Sequence, residues 1–309
     1  MKKILITGAN GLLGQKLVHL LAQQPAVQLI ATARGNNRLP HDDGYTYRSM
    51  DMTNRRQLME VIGETRPDVV IHTAAMTDVD KCEGQKDDCW TQNVYAVESL
   101  VDACRSVGAF LLHVSTDFIF DGTAGPYDET AEGNPLSFYG WSKYAAEKIV
   151  VNSGLRWAIA RTVLVYGIAH DMSRSNIILW VKKSLEDGKN IKVVTDQWRS
   201  PTLAEDLAMG CYLIADQQAE GIFNISGKEV LTPYDMAILT ANYFRLDTSL
   251  IAQADASTFT QVARRPPRTG FVLDKARTVL GYEPHTFEEG IAVLAGQLAQ
   301  PVPAASAAR

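Results

Sequence analysis

The chain has 309 residues, 46% of them hydrophobic and 21% charged, with a formal net charge of −5 at pH 7. That length allows one large or two modest domains around a substantial core, and the mild acidity with no Lys/Arg run gives no reason to expect nucleic acid or a membrane surface as partner. Cys82, Cys89, Cys104 and Cys211 show no CxxC and no His at zinc spacing, so they read as reduced structural thiols.

In chain order, Lys3 to Thr7 is a short apolar run expected to be a strand buried on both faces. The apolar stretch Ile4 to Ile6 is too brief for a signal peptide or a membrane span, which points to a cytoplasmic protein. Gly8-Ala9-Asn10-Gly11-Leu12-Leu13-Gly14 follows, opening an amphipathic helix through Leu17, Leu20 and Leu21. At a first strand-to-helix turn, Gly8 permits the bend, Gly11 lets backbone approach a pyrophosphate, and Gly14 lets helix pack on strand. The N–H groups of the helix start, with Asn10, Leu12 and Leu13, attract phosphate. The second strand spans Val27 to Ala33. Arg34 stands where NAD enzymes place a carboxylate on the ribose 2′-hydroxyl, with Arg38 nearby. An arginine there favours a 2′-phosphate, so NADPH is expected over NADH, with NADH still admitted.

Asp51 and Met52 follow a further strand end and are expected to flank the adenine. Asp68 to His72 reads as a buried strand, and the small residues Ala74 and Ala75 with Met76 let a cofactor pass close to the backbone. A long helix is expected over Asp87 to Val107, carrying Asn93. Phe110 to Ser115 is the next strand and leads into Thr116. A helix over Ser137 to Asn152, capped by Ser137, carries Tyr139 and Lys143 four residues apart on one face. A phenol beside an ammonium is expected to have a lowered pKa and to exchange a proton with a carbinol or carbonyl oxygen, which Thr116 can hold by a hydrogen bond. Trp157 to Thr162 is another strand. This alternation implies an α/β fold with a Rossmann-type, doubly wound parallel sheet.

Beyond Thr162 the pattern changes. A helix over Ser173 to Asp187, a strand over Ile191 to Val194, the polar loop Asp196 to Thr202, a helix over Leu203 to Ala215 and a strand over Gly221 to Ile225 come first. Helical stretches over Thr232 to Phe244, Asp274 to Leu280 and Phe287 to Gln300 complete the chain. The expected division is a cofactor domain over 1–163, with 202–226 returning to it, and a smaller substrate lobe from 164–201 and 227–300. The Ala/Pro/Ser-rich tail 301–309 is expected to be disordered.

The turn TGANGLLG, the strand end Ser115-Thr116-Asp117 and the pair Tyr139 and Lys143 resemble the extended short-chain dehydrogenase/reductases. The run Ala74 to Glu83, the stretch Thr116 to Gly122, Asp196-Gln197 with Ser200-Pro201-Thr202, and Arg265-Pro266 are similar to the dTDP-4-dehydrorhamnose reductases. The resemblance spans about residues 1–298 and implies NADPH-dependent reduction of a nucleotide-linked 4-keto-6-deoxy sugar, dTDP-4-dehydro-L-rhamnose to dTDP-L-rhamnose. It makes Tyr139 the proton donor. Lys143 lowers the tyrosine pKa and holds the nicotinamide ribose, and Thr116 positions the keto oxygen. Thr77, Val79, Asp117, Asn176 and Trp198 fall near the sugar nucleotide. It assigns no metal ligand to this chain and leaves homodimerisation open. Leu164 stands where the family often has Trp, and Arg199 replaces a small residue, so the identity of the sugar is open while the hydride chemistry is not.

Two other readings stay open at this stage. One is an epimerase or dehydratase of the same fold, although Phe118 cannot do the proton chemistry of the Asp-Glu pair that such dehydratases carry after the strand-end Thr. The other is a non-catalytic subunit similar to the regulatory partner of eukaryotic methionine adenosyltransferase. Among residues that invite function, Trp90 and Trp180 read as buried aromatics. His72 and His113 read as core histidines with satisfied nitrogens, and Asp78, Asp80 and Glu83 as a solvated helix start rather than a cation site.

Overall fold

The computed structural model describes residues 1–171 and 175–299; the tail over 301–309 and the expected helix start at Ser173 lie outside them. Strands β1 (Lys2–Thr7), β2 (Val27–Ala33), β3 (Tyr45–Ser49), β4 (Val69–His72), β5 (Phe110–Thr116) and β6 (Trp157–Thr162) come first. They alternate with helices α1 (Leu12–Leu21), α2 (Arg55–Thr65), α3 (Val79–Gly84), α4 (Lys86–Trp90), α5 (Ala96–Val107) and α6 (Phe138–Val151). Then follow β7 (Val165–Tyr166), α7 (Ile177–Glu186), β8 (Ile191–Val194), β9 (Thr202–Leu203), α8 (Ala204–Gln217), β10 (Gly221–Asn224), α9 (Pro233–Phe244), β11 (Ile251–Ala254) and α10 (Phe287–Ala299).

Seven strands form one sheet in the order β10-β6-β5-β4-β1-β2-β3, with every pair parallel. Side chains alternate across it. Ile4, Ile6, Val69, Ile71 and Leu112 face the layer that holds Leu17 and Leu21 of α1 and Leu207 and Ile214 of α8. Leu5, Val70 and Leu111 face Leu58 and Ile62 of α2, Leu100 of α5 and Val150 of α6. Both faces are therefore covered, which is why the central strands read as unbroken apolar runs. Each fully buried Leu, Ile or Val contributes roughly 1.5–3 kcal/mol relative to exposure. Two short parallel pairs, β8 with β11 and β7 with β9, belong to the later part of the chain, where Ile178, Met236, Phe287 and Ile291 form their own cluster.

The helix expected over Asp87 to Val107 is interrupted. Between α4 and α5 the chain makes a π-helical turn, Thr91–Tyr95. Such turns have a local cause, and here Asn93 turns its side chain inward: its Oδ1 accepts from Met76 N (2.8 Å) and its Nδ2 donates to Met76 O (3.0 Å). The segment expected to be helical over Asp274 to Leu280 likewise ends in a π-helical turn, Ala276–Leu280.

One buried ion pair joins β6 to α6. Arg161 donates from Nε to Glu147 Oε1 (3.1 Å) and from Nη2 to Glu147 Oε2 (2.8 Å), with both side chains almost fully buried. Its guanidinium also lies over the Phe120 ring, 5.3 Å from the centroid. Removing one partner leaves an uncompensated charge in the interior, so Arg161→Met is expected to destabilise the fold by about 3–5 kcal/mol. Urea unfolding should show a lower midpoint at unchanged slope.

Candidate active site

The glycine turn sits at the carboxyl end of β1, in the middle of the sheet. Gly8 takes φ +72°, and a Cβ on Gly14 would fall 2.2 Å from Gly8 O, so α1 can lie this close to the strand only without a side chain there. Gly11 caps α1 without any side-chain hydrogen bond, and the first turn carries no acidic residue. The N–H groups of Leu12 and Leu13 thus open toward solvent in a field that favours anions. Asn10 ties the next loop to this turn: Nδ2 donates to Asn36 O (2.9 Å) and Oδ1 accepts from Arg38 N (3.0 Å). Arg34 begins that loop directly after β2 and is exposed. Asp51 and Met52 are half-buried, and Asp51 Oδ1 accepts from Thr53 N and Oγ1. Ala74 and Ala75 are half-buried and Met76 is buried, held by the Asn93 amide. These features fit a dinucleotide with phosphate on α1 and an anionic group near Arg34.

The proposed chemistry-bearing residues come together beside this cradle. Ser137 caps α6, its Oγ accepting from Gly140 N (3.2 Å), and so sets where Tyr139 starts. Ser142 Oγ donates to Tyr139 O (2.7 Å) and accepts from Asn93 Nδ2 (2.9 Å), which locks the helix start to the Met76 loop. Thr116 ends β5 and caps the 3₁₀ turn Asp117–Ile119, with Oγ1 accepting from Phe118 N (3.3 Å). Tyr139 and Thr116 are both 7% exposed, and the Thr116 hydroxyl is near enough to the Tyr139 phenol to act on its pKa. The Phe118 ring meets the Tyr139 ring edge-on at 5.8 Å.

Lys143 lies one turn below Tyr139, as the spacing requires, but its ammonium points to β5. Nζ donates to Val114 O (2.7 Å) and lies 3.2 Å from His113 Nε2. The expectation of an acidified phenol is therefore not met in this state. Burial pushes the Tyr139 pKa above its ordinary value, and the Thr116 contact only partly opposes it. Burial likewise lowers Lys143 to about 8, against the raising influence of Glu147. A neutral phenol is the form that can donate a proton to a developing alkoxide.

Asp117 is buried next to Thr116, and burial raises its pKa, opposed by Arg199 and Thr269. Thr269 Oγ1 donates to Asp117 Oδ2, linking the end of β5 to the late loop. Arg199 is buried too and donates to Pro266 O (2.6 Å) and Trp198 O (2.7 Å). Thr77 is exposed and Val79 half-buried at the start of α3. Asp80 of that helix pairs with Arg265 (2.7 Å) and accepts from Ala263 N (2.9 Å). Asp78 caps α3 and Glu83 Oε1 accepts from Phe138 N (2.7 Å), so this acidic run works structurally rather than lying solvated. Among the described residues no group of three or more His, Cys, Asp or Glu is placed to hold a metal ion.

Asn176 lies on the rim of a cleft of about 430 Å³ with Ile177, Trp180, Lys192, Val193 and Pro233. Its amide is committed to the protein: Oδ1 accepts from Leu179 N (3.0 Å) and Nδ2 donates to Gly167 O (2.7 Å). Trp180 and Trp198 are 41% and 38% exposed, and Trp90 is half-buried, so the expectation of buried indoles fails for Trp180. It fails because Trp180 faces the cleft rather than the core. His72 and His113 do lie in the core, yet His72 Nε2 and His113 Nδ1 have no hydrogen-bond partner among the described residues. Asn93 was not assigned a role from sequence. An inward Asn amide between two site segments has no signal in spacing alone. The four cysteines are free and buried, and no described helix is long and apolar enough to cross a membrane.

Comparison with known proteins gives one consistent family. The chain is 30% identical over 253 residues to methionine adenosyltransferase 2 subunit beta of Xenopus tropicalis, covering 80% of this chain and 74% of that one. It superposes on a dTDP-4-dehydrorhamnose reductase from Clostridium acetobutylicum with TM-score 0.86 at 30% identity, covering 96% of this chain and all (100%) of that one. A dTDP-4-dehydrorhamnose reductase of Bacillus anthracis in complex with NADP superposes with TM-score 0.82 at 27% identity, over 96% of this chain and 100% of that one. The family described as the RmlD substrate binding domain matches residues 1–299. With a glycine turn, a strand-end threonine and a Tyr/Lys helix set in one parallel sheet, this chain belongs to the RmlD substrate binding domain family.

Proposed function

We propose that this protein reduces a nucleotide-linked 4-keto-6-deoxy sugar with NADPH, NADH also serving, and that the substrate is dTDP-4-dehydro-L-rhamnose, giving dTDP-L-rhamnose. The observation that carries the reading is the shared burial of Tyr139 and the strand-end Thr116, with the Thr116 hydroxyl near enough to act on the phenol. The relatives named as dTDP-4-dehydrorhamnose reductases, one of them holding NADP, support the substrate and the cofactor.

Bound NADPH supplies a hydride to the ketone carbon. The rest belongs to this chain. Leu12 and Leu13 N–H groups take the pyrophosphate, Arg34 the 2′-phosphate, and Asp51 and Met52 flank the adenine. Ala74, Ala75 and Met76 form the floor, and Lys143 holds the ribose. Thr116 fixes the keto oxygen, and Tyr139 gives that oxygen its proton as charge develops there. Thr77, Val79, Asp117 and Trp198 bound the sugar, and the cleft beside Asn176 and Trp180 takes the nucleoside. Residues 1–163 with 202–226 thus carry the cofactor, and 164–201 with the segment from 227 carry the sugar nucleotide.

The deciding experiment is NADPH oxidation measured with dTDP-4-dehydro-L-rhamnose, with the UDP-linked counterpart and NADH in parallel. No turnover with either sugar would overturn the reading. Stimulation of a methionine adenosyltransferase without any ketone-dependent NADPH oxidation would favour the regulatory-subunit reading, which the 30% identical relative keeps in view. Arg34→Ala should weaken NADPH roughly tenfold or more, the size of one lost charge-assisted hydrogen bond, and leave NADH nearly unchanged. Fluorescence titration with both cofactors checks it.

A further inference from the structure

Four polar side chains cross the sheet at one level below the site. Thr32 of β2 pairs with Thr7 of β1, Thr7 with His72 of β4, and His72 with His113 of β5. Adjacent residues in parallel register project to the same face, and the two imidazoles stack at 5.3 Å. All four are buried. Thr32 Oγ1 donates to Ile6 O (2.9 Å) and Thr7 is paired as well, but each imidazole keeps one nitrogen without a partner among the described residues. An unpaired buried polar group costs roughly 1–3 kcal/mol, so the two rings call for a use beyond packing.

The hydrogen bonds define the proton positions. Thr7 Oγ1 accepts from Thr73 N (3.2 Å) and from Ala74 N (3.4 Å), which takes up both lone pairs, so its own hydrogen goes to His72 Nδ1 at 2.7 Å. The His72 proton is then on Nε2, which has no partner. His113 Nε2 accepts from Lys143 Nζ at 3.2 Å, which puts the His113 proton on Nδ1, again without a partner. Both rings are neutral: burial and the Lys143 charge lower His72 to about 3 and hold His113 well below its ordinary value. Lys143 gives a second hydrogen to Val114 O, which leaves its third for the site.

We propose that His113 is a positioning residue for Lys143, a neutral acceptor that fixes where the ammonium sits and how firmly it keeps its proton. A carboxylate at the same place would lock the lysine into an ion pair. An apolar residue would leave Nζ with Val114 O alone. The neutral imidazole, braced by His72 and through it by Thr7 beside the glycine turn, holds the amine loosely enough to give its remaining hydrogen to a ribose. The other titratable groups facing Lys143 are Glu147 on α6, whose charge raises it, and Cys89 on α4. Glu147 is itself engaged by Arg161. The consequence for the reaction rests on the reductase reading; the consequence for Lys143 does not.

The test is NMR titration of protein labelled with ¹³C at lysine Cε, with the Lys143 signal identified by its loss in Lys143→Met. The wild type should titrate near pH 8. His113→Leu should move the midpoint down by roughly one pH unit or more, the effect of removing one hydrogen bond to an ammonium. His113→Gln, whose Oε1 takes the place of Nε2, should restore it. Should the leucine variant fail to fold, His113→Phe keeps the bulk and still lacks the acceptor. NADPH affinity, followed against pH by fluorescence, should weaken on the alkaline side at the same midpoints. A midpoint unchanged in the leucine or phenylalanine variant, or not restored by glutamine, overturns the proposal. A wild type that titrates as expected but binds no NADPH would leave the proposal standing and sink the reductase reading instead.

Discussion

Replacing Tyr139 with phenylalanine is expected to lower kcat roughly 10²–10⁴-fold, the usual worth of a positioned general acid. NADPH affinity should stay near that of the wild type, because the side chains that act most on the phenol are Thr116 and Asp117 at the end of β5 and not residues of the glycine turn. The ring itself remains, so the edge contact with Phe118 at 5.8 Å and the helix start survive. Residual turnover would come from Thr116 and from positioning alone. Steady-state kinetics with the sugar nucleotide and a separate NADPH titration distinguish the two effects. Full activity in this variant would remove Tyr139 from the mechanism.

Lys143→Met is expected to do two opposite things. Both NADPH affinity and kcat should fall, kcat/KM by roughly 10²–10³-fold, as when one preorganised donor is removed. Stability should rise. Burial lowers the Lys143 pKa from 10.5 to about 8, so the folded protein holds this ammonium less well than the unfolded chain does. At neutral pH that destabilises the fold by about 3 kcal/mol. Between about pH 8 and 10.5 the unfolded state binds more protons at this group than the native state. Wild-type stability should therefore gain a contribution as pH rises through that window. In Lys143→Met the neutral-pH stability should be higher and the rise should vanish. Urea unfolding at pH 7 and at pH 10 measures both. A methionine variant that is inactive and also less stable would mean that Lys143 supports the fold and not the chemistry.

The parts of this molecule that were legible in the sequence share one cause. Strands that are mostly buried, such as Val27 to Ala33 and Trp157 to Thr162, are short apolar runs, and their ends coincide with those of β2 and β6. The Ser137 cap and the Tyr139–Lys143 spacing are local, and local chemistry reads directly. Tertiary contacts do not. The Asn93 amide opens a π-helical turn because it meets the Met76 loop 17 residues away. The direction of Lys143, toward His113 on another element, depends on a register between strands that periodicity does not encode. The raised phenol pKa is tertiary too, since it comes from burial that the helix spacing does not encode. Spacing along a helix gives the distance between two side-chain origins, whereas the charge ends where the side chain is aimed.

The order of strands has a bearing on synthesis. The seventh strand of the sheet, β10, lies beside β6, although α7, β8 and α8 come between them in the chain. A nascent polypeptide that has just left the ribosome at Thr162 would carry an open hydrophobic rim along β6, with Ile159 and Ala160 awaiting Ile222 and Phe223. The chain through α7, β8 and α8 must emerge before that rim can be covered. The sheet is therefore completed only after these later segments, and a fragment stopped after β6 would invite edge-to-edge association.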